Sequence, residues 1–416
     1  MFSMEWSAVG WKERAVQHRP RATDRAGKPL RILEVLATSS PGGAGKHVWD
    51  LVRHLPREEF EPVIAAPRDG VLFDQFRDLG LRVVEFPRRR MGARHVLLAT
   101  RLISTLGVDV VHTHGQGPGL YGRLAAGWSR VPAIHTLHAV HYTANRPLGQ
   151  RLHLALERGL SRLSDTIINV SASQKAEAFG LRLFRDGQGV VIVNGVDLDE
   201  IERRPIQSAI RRETLGLTPD DLVIGNISRL DPVKHTELLV ETVQRLKPRL
   251  PNLVLVLVGG GTEEQRIRRL VFERGLQQSV IFTGSLPNAL TMYPMFDLYV
   301  AASQKEGLPM SLVEAMAAGL PVVATDVPGH RDVVVHGETG MLVPPGDTTA
   351  LAEAVASLVS DPARCKAMGE RGRWRVHEEF AVRVMVEATA QVYRRAATWP
   401  PRSQFERQAG DGHPGV

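Results

Sequence analysis

Residues 305–326 read KEGLPMSLVEAMAAGLPVVATD, and the unit they encode decides the fold. Pro309 suits the first turn of a helix, and Gly319 suits its C-terminal stop. Pro321 then opens PVVAT, a short β-branched run that predicts a buried strand. Loop, helix and strand in so short a span make one step of an alternating α/β chain. Working outward, the step recurs. Strands are predicted at RILEVLA, EPVIAAP, LRVVEFP, DVVHTH, PAIHTLH, DTIINVS and GVVIVN. After a polar stretch around residues 199–218 the alternation restarts with LVIGNIS, LVLVLVG, SVIFTG, LYVAAS, PVVAT and GMLVPP. Helical patterns such as LVRHLPREEF, HTELLVETVQRL and ALAEAVASLV lie between them. Apolar strands alternating with helices predict parallel, doubly wound sheets. Two such blocks predict an α/β protein of two Rossmann-like domains, hinged near residues 199–210 and facing an interdomain cleft. Ligands of such sheets bind beyond the carboxyl ends of the strands.

Composition agrees with this and narrows the location. A chain of 416 residues is the length of two domains. The expected divisions are a basic, disordered lead-in at 1–28, domains at 29–200 and 201–378, a helix at 379–398 that packs back on the first domain, and a disordered tail at 399–416. The single cysteine, Cys365, rules out an internal disulfide and fits a reducing, cytoplasmic setting. No apolar run approaches the ~18 residues of a membrane span. The first residues lack the apolar core of a signal peptide. The net charge of +7 suits contact with a polyanion such as an anionic membrane, and equally suits generic surface charge.

Within 305–326, Glu306 precedes the helix and Glu314 sits more than one turn inside it. The backbone N–H groups near Met310, Ser311 and Leu312 are candidates for binding phosphate at the helix start. Glu314 can accept hydrogen bonds from ligand hydroxyls. Its neighbours Val313, Ala315 and Met316 are apolar, so its carboxylate requires a partner.

Two glycine clusters exclude common nucleotide sites. SSPGGAGKHV, residues 39–48, looks like a P-loop, but Ser40 stands where the first glycine belongs and His47 where the magnesium-binding hydroxyl belongs. What remains is a tight strand-to-helix turn whose N–H groups suit an anion. VLVLVGGGTEEQ, residues 254–265, has Gly259 and Gly261 but Glu264 in place of the third glycine of a dinucleotide fingerprint, so a nicotinamide dehydrogenase is excluded. Gly259 is read as a strand-end turn or as a ligand contact.

Glu306 and Glu314, with seven residues between them, resemble the signature of the family-4 retaining glycosyltransferases, which have the GT-B fold. SPGGAGKH, TLHAVH, VNGVD, ISRLDPVK, VGGG and DVVVHGETGMLVPPGD are similar to further motifs of that family, in the same order, across roughly residues 30–378. The resemblance implies a hexosyltransferase-type enzyme that moves a sugar from a nucleotide-diphosphate sugar, UDP-sugar favoured and GDP-sugar next, to a glycan or lipid-linked acceptor. No cofactor and no essential metal are implied, and no nucleic acid partner. It also implies an acceptor-side first domain and a donor-binding second domain, with a role in cell-surface polysaccharide or glycolipid synthesis.

Residue by residue, the resemblance implies that Arg229 and Lys234 neutralise the leaving diphosphate. Gly42 and Gly43 bring N–H groups to it from across the cleft, and Glu314 holds the ribose. Glu306 lies near the donor sugar, as an electrostatic and hydrogen-bonding group rather than a nucleophile, in a pocket shaped by Gly307, Leu308 and Pro309. His138 reaches the sugar from the first domain, although His135 and His141 lie close by and the local cluster alone selects none of them. His112 and His114 are expected on the cleft floor. Asp197-Leu198-Asp199 is expected to cap a turn rather than bind metal. VPGHRDVV departs from the family, with Gly329 and Asp332 where a Gly-Gly and a Glu are usual. FPRRRMGARHVLLATRLISTLG, residues 86–107, joins basic residues to an amphipathic pattern and suits peripheral contact with the inner face of the plasma membrane. It equally reads as an ordinary surface helix. A nucleotide-sugar epimerase of the same architecture and a silent sugar-nucleotide sensor are the competing readings.

Overall fold

A computed structural model describes residues 27–40, 42–87, 92–138, 147–202 and 210–398. The first sheet contains β1 (Leu30–Val35), β2 (Phe60–Ala66), β3 (Arg82–Glu85), β4 (Val110–His114), β5 (Ala133–Leu137), β6 (Thr166–Asn169) and β7 (Gly189–Val191). Their order is β3-β2-β1-β4-β5-β6-β7. The second sheet contains β8 (Leu222–Ile227), β9 (Leu253–Val258), β10 (Val280–Gly284), β11 (Leu298–Ala301), β12 (Val322–Thr325) and β13 (Met341–Val343), in the order β10-β9-β8-β11-β12-β13. Neighbouring strands pair in parallel, as for β1 with β4 and β8 with β11. Every strand read from the sequence lies in one of these sheets. In each, the order reverses beside the first strand, which opens a crevice at the carboxyl ends.

The helices are α1 (Gly43–His54), α2 (Leu72–Asp78), α3 (Ala93–Leu106), α4 (Gln116–Ser129), α5 (Pro147–Ser161), α6 (Ala172–Gly180), α7 (Thr236–Leu246), α8 (Glu264–Glu273), α9 (Met310–Ala317), α10 (Pro328–Val333), α11 (Thr348–Val359), α12 (Pro362–Glu379) and α13 (Val382–Thr398). One helical reading is corrected. LVRHLPREEF does not run through as a helix. α1 ends at His54 and Leu55 turns extended (φ −63°, ψ 132°), because the proline at 56 disfavours helical backbone in the residue before it.

Both faces of each sheet are covered, which is why the strands are apolar throughout. In β1, Ile32 packs with α1 and α13, while Leu33 and Val35 pack with α3 and α4. In β9, Val254 and Val256 face the core under α9, while Leu255 and Leu257 face α7 and α11. The chain passes between the two halves beside itself. Val196 N donates to Phe380 O at 2.8 Å and Val382 N to Val196 O at 2.9 Å. Gly195 has no room for a side chain there, since a Cβ would lie 2.5 Å from Val382 Cα. From this crossing, α13 returns to the first sheet and buries Met385, Ala390 and Tyr393 against Leu30, Ile32, Phe60 and Val110. The lead-in up to residue 26, residues 203–209 of the hinge and the tail from 399 lie outside the described residues.

Candidate functional site

The second sheet builds its wall of the cleft from short segments. The loop after β8 carries Arg229 and Lys234, and the glycine cluster after β9 holds that loop. Gly259 has φ +131° and a Cβ would run into the Ser228 carbonyl, as one at Gly261 would into that of Leu230. Leu230 N donates to Gly260 O at 3.0 Å. Backbone packing therefore accounts for Gly259.

Lys234 Nζ lies 2.5 Å from Glu306 Oε1, and Ser303 Oγ donates to the same oxygen at 2.7 Å. Arg229 stands apart, with its side chain 76% exposed and paired to Asp231 at 2.8 Å. Gly307, Leu308 and Pro309 lead from Glu306 into α9, with Leu308 buried. Pro309 caps that helix. The expected phosphate donors divide. Leu312 N–H donates to Pro309 O at 3.0 Å and its side chain is buried. Met310 and Ser311 keep first-turn N–H groups that no intrahelical carbonyl can reach.

Glu314 has the partner its setting requires. Tyr293 Oη lies 2.9 Å from Oε2. Burial pushes the Glu314 carboxyl up to about 7, against the opposing pull of Lys46 and of the Tyr293 hydroxyl. Lys46 belongs to α1, so it acts from across the cleft. Its ammonium pairs with Asp50 at 2.8 Å and lies 3.7 Å from Glu200. Burial disfavours that charge, but Asp50, Glu200 and Glu314 together hold it protonated.

On the first-sheet side, Gly42 caps α1 in extended backbone and Gly43 opens it. A Cβ at either would meet nothing. The close approach falls instead at Gly45, whose Cβ would lie 2.9 Å from Ser40 O. His47 is buried at 3% exposure with both ring nitrogens unpartnered, and burial drops its imidazole to about 3. It packs edge-on against His138 at 5.1 Å. His138 Nε2 lies 3.1 Å from His114 Nδ1. His114 and His112 are deeper than a cleft floor, at 1% and 0% exposure. His135 turns inward to Thr113 Oγ1 at 2.8 Å, and His141 lies outside the described residues.

Sequence reasoning missed Glu34 and Tyr393. Glu34 Oε2 is 2.8 Å from His114 Nε2, and Tyr393 Oη is 2.6 Å from Glu34 Oε1. The available signal was a glutamate in the middle of the apolar strand RILEVLA. Among the described residues, Glu34, His112 and His114 bring three atoms able to hold a metal within 4.8 Å. Each already has a hydrogen-bond partner, so the trio packs as a hydrogen-bonded network.

Three further expectations have structural answers. Asp197 Oδ1 accepts from the N–H groups of Asp199 and Glu200 at 3.1 and 3.3 Å, which is a cap. In VPGHRDVV, Gly329 presses on Glu306, where a Cβ would lie 2.7 Å from Glu306 Cβ. Asp332 leaves the pocket and accepts from Ser173 N and Oγ, both at 3.1 Å, at the start of α6 in the other half. In residues 86–107 the apolar face of α3 points inward, with Ala99, Ile103 and Leu106 in the core and Leu97 61% exposed. The amphipathic pattern is a packing face, and the basic run at 88–90 lies outside the described residues. Among the described residues no helix is long and apolar enough to cross a membrane.

Two doubly wound sheets with their strand ends turned to one cleft define a GT-B architecture. Residues 41–200 match the family model described as Glycosyltransferase Family 4, and residues 208–375 that described as Glycosyl transferases group 1. Alpha-maltose-1-phosphate synthase of Mycolicibacterium smegmatis is 31% identical over 384 residues, covering 86% of this chain and 96% of its own length. The GDP-mannose-dependent alpha-(1-6)-phosphatidylinositol monomannoside mannosyltransferase of the same organism is 32% identical over 311 residues, 71% and 79% of the two chains. Anabaena Alr3699/HepE, solved in complex with UDP, superposes with a TM-score of 0.75 at 22% identity, over 88% of this chain and 99% of that one. The chain belongs to the family-4 (group 1) glycosyltransferases and is an enzyme of that class.

Proposed function

We propose that the protein transfers a sugar from a nucleotide-diphosphate sugar, with retention of configuration, to a glycan or lipid-linked acceptor. The observation that carries this is the Lys234–Glu306 pair at 2.5 Å, set beside the open first turn of α9. A cation, a carboxylate and first-turn N–H groups side by side would suit a sugar diphosphate. Lys234 would neutralise the diphosphate, whose charge grows as the glycosidic bond breaks. Arg229, exposed and paired with Asp231, would swing onto it. The N–H groups of Met310 and Ser311, with those of Gly42 and Gly43 opposite, would bind phosphate oxygens.

Glu314 would accept the ribose hydroxyls. Glu306 would hold the sugar by charge and hydrogen bonding, since one of its oxygens is already committed to Lys234 and Ser303. His138 would contact the sugar from the other wall. Closing the cleft would exclude water and limit hydrolysis of the donor. The two cations supply the charge, so a metal has no role in this scheme. UDP-sugar is favoured because the Anabaena structure holds UDP. GDP-sugar is second, because one relative is named as GDP-mannose-dependent.

A thermal-shift panel of UDP-glucose, GDP-mannose and ADP-glucose, with and without magnesium, tests the donor. A ligand at 100 times its dissociation constant adds about 2.7 kcal/mol of stability, so one of the three should raise Tm without metal. No shift with any of them, and no transfer of labelled sugar to membrane extracts, would remove the proposal.

A further inference from the structure

The network beneath the first sheet's strand ends is larger than the proposed function uses, and its proton order can be worked out atom by atom. Glu34 of β1, His112 and His114 of β4, Thr136 of β5 and Tyr393 of α13 are all at 0 or 1% exposure. An ionised carboxylate only accepts. Tyr393 Oη, 2.6 Å from Glu34 Oε1, therefore donates to it. With that proton spent, the tyrosine oxygen accepts from His112 Nδ1 at 2.6 Å. His112 Nε2 lies 2.7 Å from Thr136 Oγ1, and its Nδ1 is also 3.3 Å from Glu34 Oε2.

From the other carboxylate oxygen the chain runs to the cleft. His114 Nε2 donates to Glu34 Oε2 at 2.8 Å, which leaves His114 Nδ1 bare. That nitrogen accepts from His138 Nε2 at 3.1 Å. Every donor in this chain meets an acceptor. Burial holds His114 at about 4 and His138 well below its ordinary value, so both rings are neutral at neutral pH. Burial opposes the Glu34 charge, but His112 and His114 outweigh it and hold the carboxyl below its usual range. The remaining ionisable neighbours are the buried imidazoles of His47 on α1 and His135 on β5, each also pushed down by burial. The chain ends on His138 Nδ1, which is buried and has no partner.

We propose that Glu34 and His114, with Tyr393 locking Glu34 from the C-terminal helix, are positioning residues that hold His138 as its Nε2–H tautomer in one orientation. This rests on the reading that His138 meets the sugar. Nδ1 is then the acceptor that a sugar hydroxyl entering beside the ring satisfies, and His138 acts as an acceptor of that hydroxyl rather than a donor to it. An unmet buried acceptor is costly, so the ligand-free ring is poised for that contact.

The test uses the full chain labelled with ¹⁵N-histidine, with His138→Asn and His114→Asn spectra for assignment. Long-range ¹H–¹⁵N correlation at neutral pH should show both His114 and His138 as Nε2–H. An Nδ1–H state of either ring would overturn the relay, and needs no substrate to detect. Kinetics then compare two substitutions at one site. His114→Asn keeps an acceptor near the position of Nδ1, whereas His114→Gln keeps a polar atom near Nε2 and loses the contact to His138. With the donor identified by the panel, His114→Gln should lose about tenfold or more in kcat for donor hydrolysis with donor KM nearly unchanged, and His114→Asn, which keeps the acceptor for His138 but not the donor to Glu34, should lose clearly less. Equal effects of the two would mean a packing role only and would overturn the proposal. Normal turnover by His138→Ala would remove the role of His138 at the sugar, while the spectrum would still decide the proton order.

Discussion

On the second-sheet wall of the cleft, Glu314 meets Tyr293 from 21 residues away and Glu306 meets Lys234 from 72. On the first-sheet wall, Glu34 meets Tyr393 from 359 residues away. The near wall of partners is also the more open one: the side chains of Lys234, Glu306 and Arg229 are 20%, 12% and 76% exposed, whereas those of Glu34, His112 and His114 are closed off. An open pair of opposite charges can exchange its partner for a ligand at little desolvation cost. A closed network that already satisfies itself can only hold a shape. On the proposed function, the comparison gives a division of labour, with one wall to bind changing charge and the other to keep a single ring still.

The largest break expected is on the open wall. Glu306→Gln and Lys234→Ala should each lower transfer by about 10²–10³-fold, since both act where charge develops. Steady-state rates with the identified donor check this, and near-normal rates in both would place the chemistry elsewhere. Next comes Gly329→Ala, because the added methyl would lie 2.7 Å from Glu306 Cβ and from its carbonyl oxygen. A displaced Glu306 should cost about tenfold in kcat while the fold persists.

The pH dependence of donor binding sharpens the same wall. The Glu314 carboxyl, raised to about 7 by burial, accepts two hydroxyls only when ionised. Below that pH, binding must first release its proton, so affinity should fall by about tenfold per unit as pH drops below 7 and level off above it. Calorimetric titration with the nucleotide across pH 5.5–8.5 reads this slope, and Glu314→Gln should flatten it.

Smaller effects belong to the contacts between the walls. Asp332→Ala removes the carboxylate at the start of α6 and should cost about 1 kcal/mol in urea unfolding, the usual worth of such a cap. Lys305→Ala breaks an exposed pair with Glu177 and should change stability by less than about 1 kcal/mol. A larger effect of Lys305 than of Asp332 would mean that the halves are held together by surface charge.

Much of the fold was legible because its signals are local. An apolar run of five or six residues between turn residues needs no partner to be recognised, and so the strands of both sheets were found from the sequence. LVRHLPREEF failed for an equally local reason, a proline whose effect on Leu55 was outweighed by the apolar pattern. Glu306, Glu314, Arg229 and Lys234, the residues proposed to meet the donor, sit in compact motifs beside strand ends, which is why they could be singled out from the sequence. The pattern shows which residues open a helix but not which N–H the capping carbonyl takes, here that of Leu312. Glu34 and Tyr393 were missed because each looks ordinary alone, a polar residue within an apolar element.

The sequence by itself determined the class of fold and the strand count of each sheet, because hydrophobic period and turn residues are properties of neighbouring residues. Tertiary structure alone decided which histidine joins His114 and Glu34, that Asp332 pairs with Ser173 of the other half, and that the C-terminal helix supplies the hydroxyl that holds Glu34. Those are hydrogen bonds between elements far apart in the chain, and a bond of 2.6 Å between residues 359 positions apart exists only once both sheets have packed.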